Sequence, residues 1–287
     1  MAARTEATAV TDVKDAKDAR DATAATGATG ATDARARDAE IAVRECTTVE
    51  EFDACVRLQR EVFGLPDLEI SPRRHLIVAR TAGGFTLGAF AGGELVGFAL
   101  QQIALHRGRL GGYSHMAAVA EKFQSRGIGA RLKWAQRERT LHEGRDFIKW
   151  TFDPMRARNA HFNLNRLGVV VRSYAADYYG TDYHAIAGLH GTAFGLQSDR
   201  LFAEWELNSP RVERVARGER PGDGSDPAAA VEIPPDWPAL VREDAARARA
   251  ELARVRAEFQ RHLAAGLVCA GFERSDARPR YLFFRDE

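Results

Sequence analysis

Between Met116 and Arg131 a run of small apolar residues changes within a few positions into a helical pattern, and the joint holds Gly127 and Gly129. A strand feeding a helix in this way commits the chain to layers, because the helix must pack back on the sheet that the strand belongs to. The joint also has a chemical consequence. Glycines at a helix start let backbone N–H groups approach an anion with no Cβ in the way, and the helix dipole supplies attraction. Arg126, Arg131 and Lys133 add positive charge around the turn. The pattern is neither a Walker loop, since no Lys-Ser/Thr follows, nor a GxGxxG dinucleotide fingerprint. A glycine-bearing turn before a core helix is its plain structural reading.

The flanking sequence sets the fold class. Residues 41–46 alternate as a strand, and a helix follows over 48–63, where Thr48 and Glu51 form a capping-box pattern. Residues 64–72 read as an irregular connection, with Arg73 and Arg74 in the loop that follows. Strands over 85–90 and 94–102 form a hairpin around Gly92-Gly93, and a third strand covers 112–120. A helix over 127–143, a strand over 147–152, a helix over 155–167 and strands over 169–174 and 201–207 complete the unit. Antiparallel strands followed by alternating strands and helices predict an α/β (α+β) fold, a mixed sheet with helices on its faces.

Domain limits follow composition. Residues 1–40 consist almost wholly of Ala, Thr, Asp, Arg, Lys and Gly, too few apolar groups to offset ordering entropy, so they read as a disordered tail. The main domain covers 41–210. A Gly/Pro/Asp/Ser-rich stretch within 211–235 reads as a linker. Residues 236–287 read as one helix ending near Gly266 and two short strands, a unit expected to pack on the main domain or a second subunit.

Composition narrows the function classes. Forty-one basic residues against 40 acidic leave a net charge of +1, which argues against a nucleic-acid partner. Cys46, Cys55 and Cys269 lack disulfide or zinc spacing, and His184 and His190 lack a carboxylate pattern, so no metal is expected. No apolar run reaches the ~20 residues needed to cross a bilayer, and the N-terminus has no apolar signal core. The expectation is a cytoplasmic protein with no membrane partner.

The segment Gln124-Ser-Arg-Gly-Ile-Gly129, after a strand ending in Ala118-Val119, resembles the acetyl-CoA-binding motif of the GNAT superfamily of N-acetyltransferases. The strand order over about 41–207 also looks like that fold, and the C-terminal residues look like the extension of one branch. The resemblance implies acetyl-CoA, or another short acyl-CoA, as co-substrate. It implies that backbone groups of Ala118, Val119 and Ala120 meet the pantetheine arm and thioester. It implies that Gln124, Ser125, Arg126, Gly127, Ile128, Gly129 and Ala130 cradle the pyrophosphate. The segment 159–168 is similar to the family's second cofactor helix, which implies that Asn159 and Phe162 line the far side.

Acyl transfer to an amine needs a base, donors for the oxyanion and an acid for the thiolate. Counting back from Val119 at a two-residue period puts Ala117 and His115 on one strand face, and an imidazole suits proton removal near neutrality. The position also resembles a strand histidine of arylalkylamine N-acetyltransferases. A histidine that packs at the sheet face is the competing reading. The family's usual acid is a tyrosine four residues before the glycine closing the second helix, and Leu164 stands there. Tyr174, Tyr178 and Tyr179 lie downstream, and Tyr174 is taken as the candidate acid. Asp153 before Pro154 reads as an N-cap or as a group holding an acceptor amine, and His161 and Asn163 are undecided between packing and substrate contact. Met116, Trp150 and Phe152 are expected to set acyl-pocket depth.

These residues predict transfer of a short acyl group to a primary amine of a small molecule by direct attack in a ternary complex. Acylation of a protein N-terminus or lysine is the second enzymatic reading, with residues 174–197 as the specificity element. A non-catalytic CoA-sensing or assembly module is the third. A homodimer through the sheet edge or C-terminal helix is compatible with the pattern.

Overall fold

The computed structural model describes residues 41–181, 196–222 and 224–286. The N-terminal tail read from composition, and most of the 174–197 segment with His184 and His190, therefore lie outside the described residues. Strand β1 (Ala42–Glu45) precedes helices α1 (Val49–Phe63) and α2 (Arg73–Thr81). The antiparallel run β2 (Phe85–Ala91), β3 (Glu94–His106) and β4 (Arg109–Val119) follows, then α3 (Ile128–His142) and β5 (Phe147–Phe152). Helix α4 (Ala157–His161) runs into a π turn, Phe162–Arg166, before β6 (Val170–Ala175) and β7 (Arg200–Glu206). The chain closes with α5 (Pro210–Ala216), β8 (Ala229–Glu232), α6 (Trp237–Glu243), α7 (Ala245–Ala264), β9 (Leu267–Glu273) and β10 (Arg280–Arg285).

Among the described residues ten strands join one sheet in the order β1-β2-β3-β4-β5-β7-β6-β9-β10-β8. Only the β4–β5 pair among them is parallel. The mixed sheet with helices on its faces and a C-terminal helix-and-strand extension is thus the observed fold.

Apolar alternation decides which helix covers which face. Phe98, Leu100, Met116 and Ala118 pack against Phe52, Cys55 and Leu58 of α1 and Leu76 of α2. Phe85, Leu87, Ala99, Ala117 and Val119 pack on the opposite face against Ile128 and Leu132 of α3. Beyond β5 a third cluster joins Trp150 and Trp205 to Phe259 of α7 and Tyr281 and Phe283 of β10. At ~25 cal/mol per Å2 of apolar surface buried, each large side chain here contributes roughly 2 kcal/mol or more.

Three sequence expectations are corrected. Residues 73–81 form a helix rather than a loop: Pro72 enters it, and Leu76 and Ala79, one turn apart, are both buried. The 211–235 stretch is not a plain linker. It holds α5 and β8, and Arg211 donates to the carbonyls of Gly168, Leu164, Ala270 and Pro221, fastening the extension to the domain. The single C-terminal helix is two, broken at Asp244, whose carboxylate caps α7 by accepting from the Arg247 amide at 2.9 Å. The extension adds β9, β10 and β8 to the sheet through β6, so it continues the main core.

Candidate functional site

Strands β4 and β5 pair over only two positions, Gly112 with Ile148 and Tyr113 with Lys149. Both strands run on, β4 to Val119 and β5 to Phe152, without further pairing to each other. Their outer edges are held by β3 and β7, so the two cannot close by sliding. The result is a wedge in the sheet, flanked by unpaired strand edge over about 17 Å of β4 at 3.3 Å per residue.

The wide end of the wedge meets the start of α3. Gly127 sits at φ +79° as the N-cap with no side-chain cap, and the helix's first N–H groups have no intrahelical acceptor. A Cβ built at Gly127 or Gly129 finds nothing within 4 Å, so the concave space is open. Ser125 also has positive φ, +62°, so left-handed residues stand on both sides of Arg126 in this turn. The Gln124 side chain donates to Val119 O at 2.9 Å, strapping the loop to the strand end, while its buried Oε1 has no partner.

Charge at this turn differs from the sequence expectation. Arg131 donates to Ile41 O, and Lys133 is buried between helix and sheet, so both turn away from the cradle. Arg158 on α4 takes their place, donating to Ser125 Oγ at 3.0 Å. It escaped the sequence reading, although it adjoins Asn159. Asn159 is buried on the same short helix, and Phe162 lies half-buried against the C-terminal cluster.

His115 does not share a face with Ala117 and Val119. A β-bulge lies where the β3–β4 register steps from Leu100/Met116 to Gln101/Ser114, leaving His115 as the extra residue. The bulge turns the imidazole to the α1/α2 face. There Ser71 Oγ lies 3.4 Å from His115 Nε2 and 3.2 Å from His75 Nδ1, and Gln102 Nε2 lies 2.6 Å from His75 Nε2. Gln59 fixes Ser71 by bonds to its backbone N and O. Either direction of donation satisfies the chain Gln102–His75–Ser71–His115, and turning the Gln102 amide reverses it. Burial, and secondarily His75, push the His115 imidazole down to about 3, so it is neutral across the working range.

On the α3 face the same bulge leaves Ser114 pointing at the helix. Lys133 Nζ donates to Ser114 Oγ at 2.6 Å, Ser114 Oγ donates to Gln136 Oε1 at 3.3 Å, and the ammonium lies 3.9 Å from the Trp150 ring centroid. Burial pushes Lys133 down to about 7.

Tyr174 is placed elsewhere. Its hydroxyl donates to Asp199, which Arg256 of α7 also grips, and its ring packs on Phe259. Burial and the Asp199 charge raise its pKa, which opposes proton donation, so Tyr174 reads as a pin for the extension. Tyr179 OH lies 3.3 Å from Thr151 Oγ1 on β5. Asp153 Oδ1 accepts from the Met155 amide at 2.8 Å, capping a turn rather than α4, whose N-cap is Arg156. Leu164, Met116, Trp150 and Phe152 are all buried. No group of three metal-ligating side chains exists among the described residues, and none of their helices is long and apolar enough to cross a membrane.

No protein-family model and no curated protein matches the chain. Solved structures resemble it at low identity. The ribosomal-protein-S18-alanine N-acetyltransferase of Escherichia coli is 14% identical with a TM-score of 0.46, covering 59% of this chain and 95% of its own. A GNAT family acetyltransferase of Elizabethkingia anophelis with acetyl-CoA bound is 16% identical at 0.44, covering 58% and 98%. An aminoglycoside acetyltransferase from an uncultured soil metagenomic sample is 18% identical at 0.40, covering 44% and 86%.

Proposed function

We propose that this protein is an acyl-CoA-dependent N-acyltransferase moving an acetyl or other short acyl group to a primary amine. The carrying observation is the wedge between β4 and β5 opening onto an uncapped, Cβ-free helix start. That combination suits a ligand with a pyrophosphate at one end and a long amide-bearing arm. The phosphates take the α3 N-terminus and the Ser125–Gly127 turn, with Arg158 nearby. The arm lies along β4 between Ser114 and Val119, using strand-edge hydrogen bonds as an added strand would.

The thioester then falls at the bulge, where the sheet closes. The amine approaches from the α1/α2 face, beside His115, and attacks the carbonyl directly. No cysteine supports an acyl-enzyme route, since the three thiols are buried, the hydrogen bond with Cys46 and then burial raise Cys55, and burial raises Cys269. In the orientation with His115 Nε2–H donating to Ser71, Nδ1 is free to accept from the amine. Its low basicity favours a proton passed along the chain to half-buried His75 over a lasting imidazolium. The enclosed setting of His115 and Ser71 supports a small-molecule acceptor over a peptide.

The test is release of free CoA thiol from acetyl-CoA across a panel of primary amines, with His115→Gln alongside. Turnover with at least one amine, lowered ~100-fold in His115→Gln as for loss of general base help, is expected. No release with any amine, or equal turnover in the variant, would count against the respective parts.

A further inference from the structure

Lys133 is an ionisable side chain at the vertex of the wedge, and the account above leaves it without a task. It follows Gly129 by four residues, so both lie on one face of α3. Ser114 and Trp150, its hydroxyl and ring neighbours, are the first residues of β4 and β5 beyond the last paired positions. The Nζ therefore sits where the strands part. The groups packed around it are uncharged: Ser114 from β4, Trp150 from β5, and Gln136 and Thr140 on its own helix with Gln101 from β3 behind them. Charged groups at neighbouring positions are committed elsewhere: Arg137 pairs with Glu213 and Lys149 meets His106, while the neutral His115 faces the opposite side.

Resting on the acyltransferase reading, we propose that Lys133 is the proton donor to the departing CoA thiolate. The amine nitrogen forms its bond to the carbonyl carbon, the carbon–sulfur bond breaks with its electron pair on sulfur, and the Lys133 ammonium protonates that sulfur. Lys133 is left neutral and takes back one proton from solvent, matching the proton the amine has lost. Burial makes the donor apt: at about 7 it is more acidic than an ordinary thiol at ~8.5, whereas a solvated lysine is not. It also supplies the acid that Leu164 and Tyr174 do not. The ammonium comes from the α3 face, and the base chain lies on the other, so the two proton transfers stay separate.

The test uses free CoA bound to the full chain, which needs no knowledge of the acceptor. The bound thiol is titrated by its ultraviolet thiolate absorbance in wild type and in Lys133→Met, a near-isosteric change. Lys133 and the bound thiol titrate as a coupled pair that loses its first proton at about 7, shared between nitrogen and sulfur. Part of the wild-type thiolate absorbance should therefore rise in that step, at least about one pH unit below the single step of the variant. Equal midpoints, with CoA bound to both proteins, would overturn the role of Lys133 and leave the acyltransferase reading standing. Failure of CoA to bind either protein would overturn both together.

Discussion

Lys133→Met should make the protein more stable, and the gain should shrink as pH rises. Lys133 is 4% exposed, and burial alone lowers its ammonium from 10.5 to about 7. At ~1.4 kcal/mol per pH unit, that gap is a penalty of about 5 kcal/mol on the folded state below pH 7. Between about 7 and 10.5 the unfolded chain binds more protons than the folded one, so stability rises with pH across that window. By pH 9 the remaining penalty is about 2 kcal/mol. Methionine removes the charge and keeps the length, while forfeiting the Ser114 hydrogen bond, worth about 1 kcal/mol. Urea unfolding should therefore show the variant ahead by about 3–4 kcal/mol at pH 7 and by about 1 at pH 9. Taking the difference cancels titration of the cysteines and histidines common to both proteins. A variant of equal or lower stability at pH 7, or a gap that ignores pH, would refute the buried, unpaired ammonium.

Other expectations are independent of this one. Acidification should destabilise the fold between about 6.5 and 3, because the unfolded His115 binds a proton there that the folded one refuses; in His115→Gln, urea midpoints should fall less over that range. Tyr174→Phe should keep wild-type turnover while losing about 1–2 kcal/mol in urea, since its hydroxyl serves Asp199 rather than the wedge. Arg211→Met should cost about 3 kcal/mol by the same assay, stranding buried carbonyls of Leu164 and Gly168.

The strand–glycine–helix joint was legible because local chemistry and long-range packing agree there: Gly127 needs its positive φ, and Ile128 and Leu132 face the sheet. Thr48 and Glu51 likewise cap α1 as the spacing predicts, each side chain meeting the other's backbone. The missed helix at 73–81 is short, and Arg73, Arg74, His75 and Arg80 mask its two-residue buried stripe. The face of His115 was misread because a period of two holds only in an unbroken ladder; the bulge inserts one residue, and nothing at 114–116 announces it. Lys133 was counted with the charges around the glycine turn, and its burial depends on Ser114 and Trp150, which come from two different strands. The partners of Tyr174 were hidden for the same reason, since Asp199 and Arg256 lie 25 and 82 positions away in sequence.

The central claim, a cofactor cradle at the start of α3, is tested most directly by calorimetric titration of the full chain with acetyl-CoA. Gly129→Glu is the control: Gly129 lies in the first helical turn with open space around it, so the side chain fits and folding is kept, while its carboxylate occupies the phosphate position. The account predicts micromolar binding by the wild type and its loss in Gly129→Glu. Equal binding by the two proteins, or none of acetyl-CoA or CoA by the wild type, would contradict it.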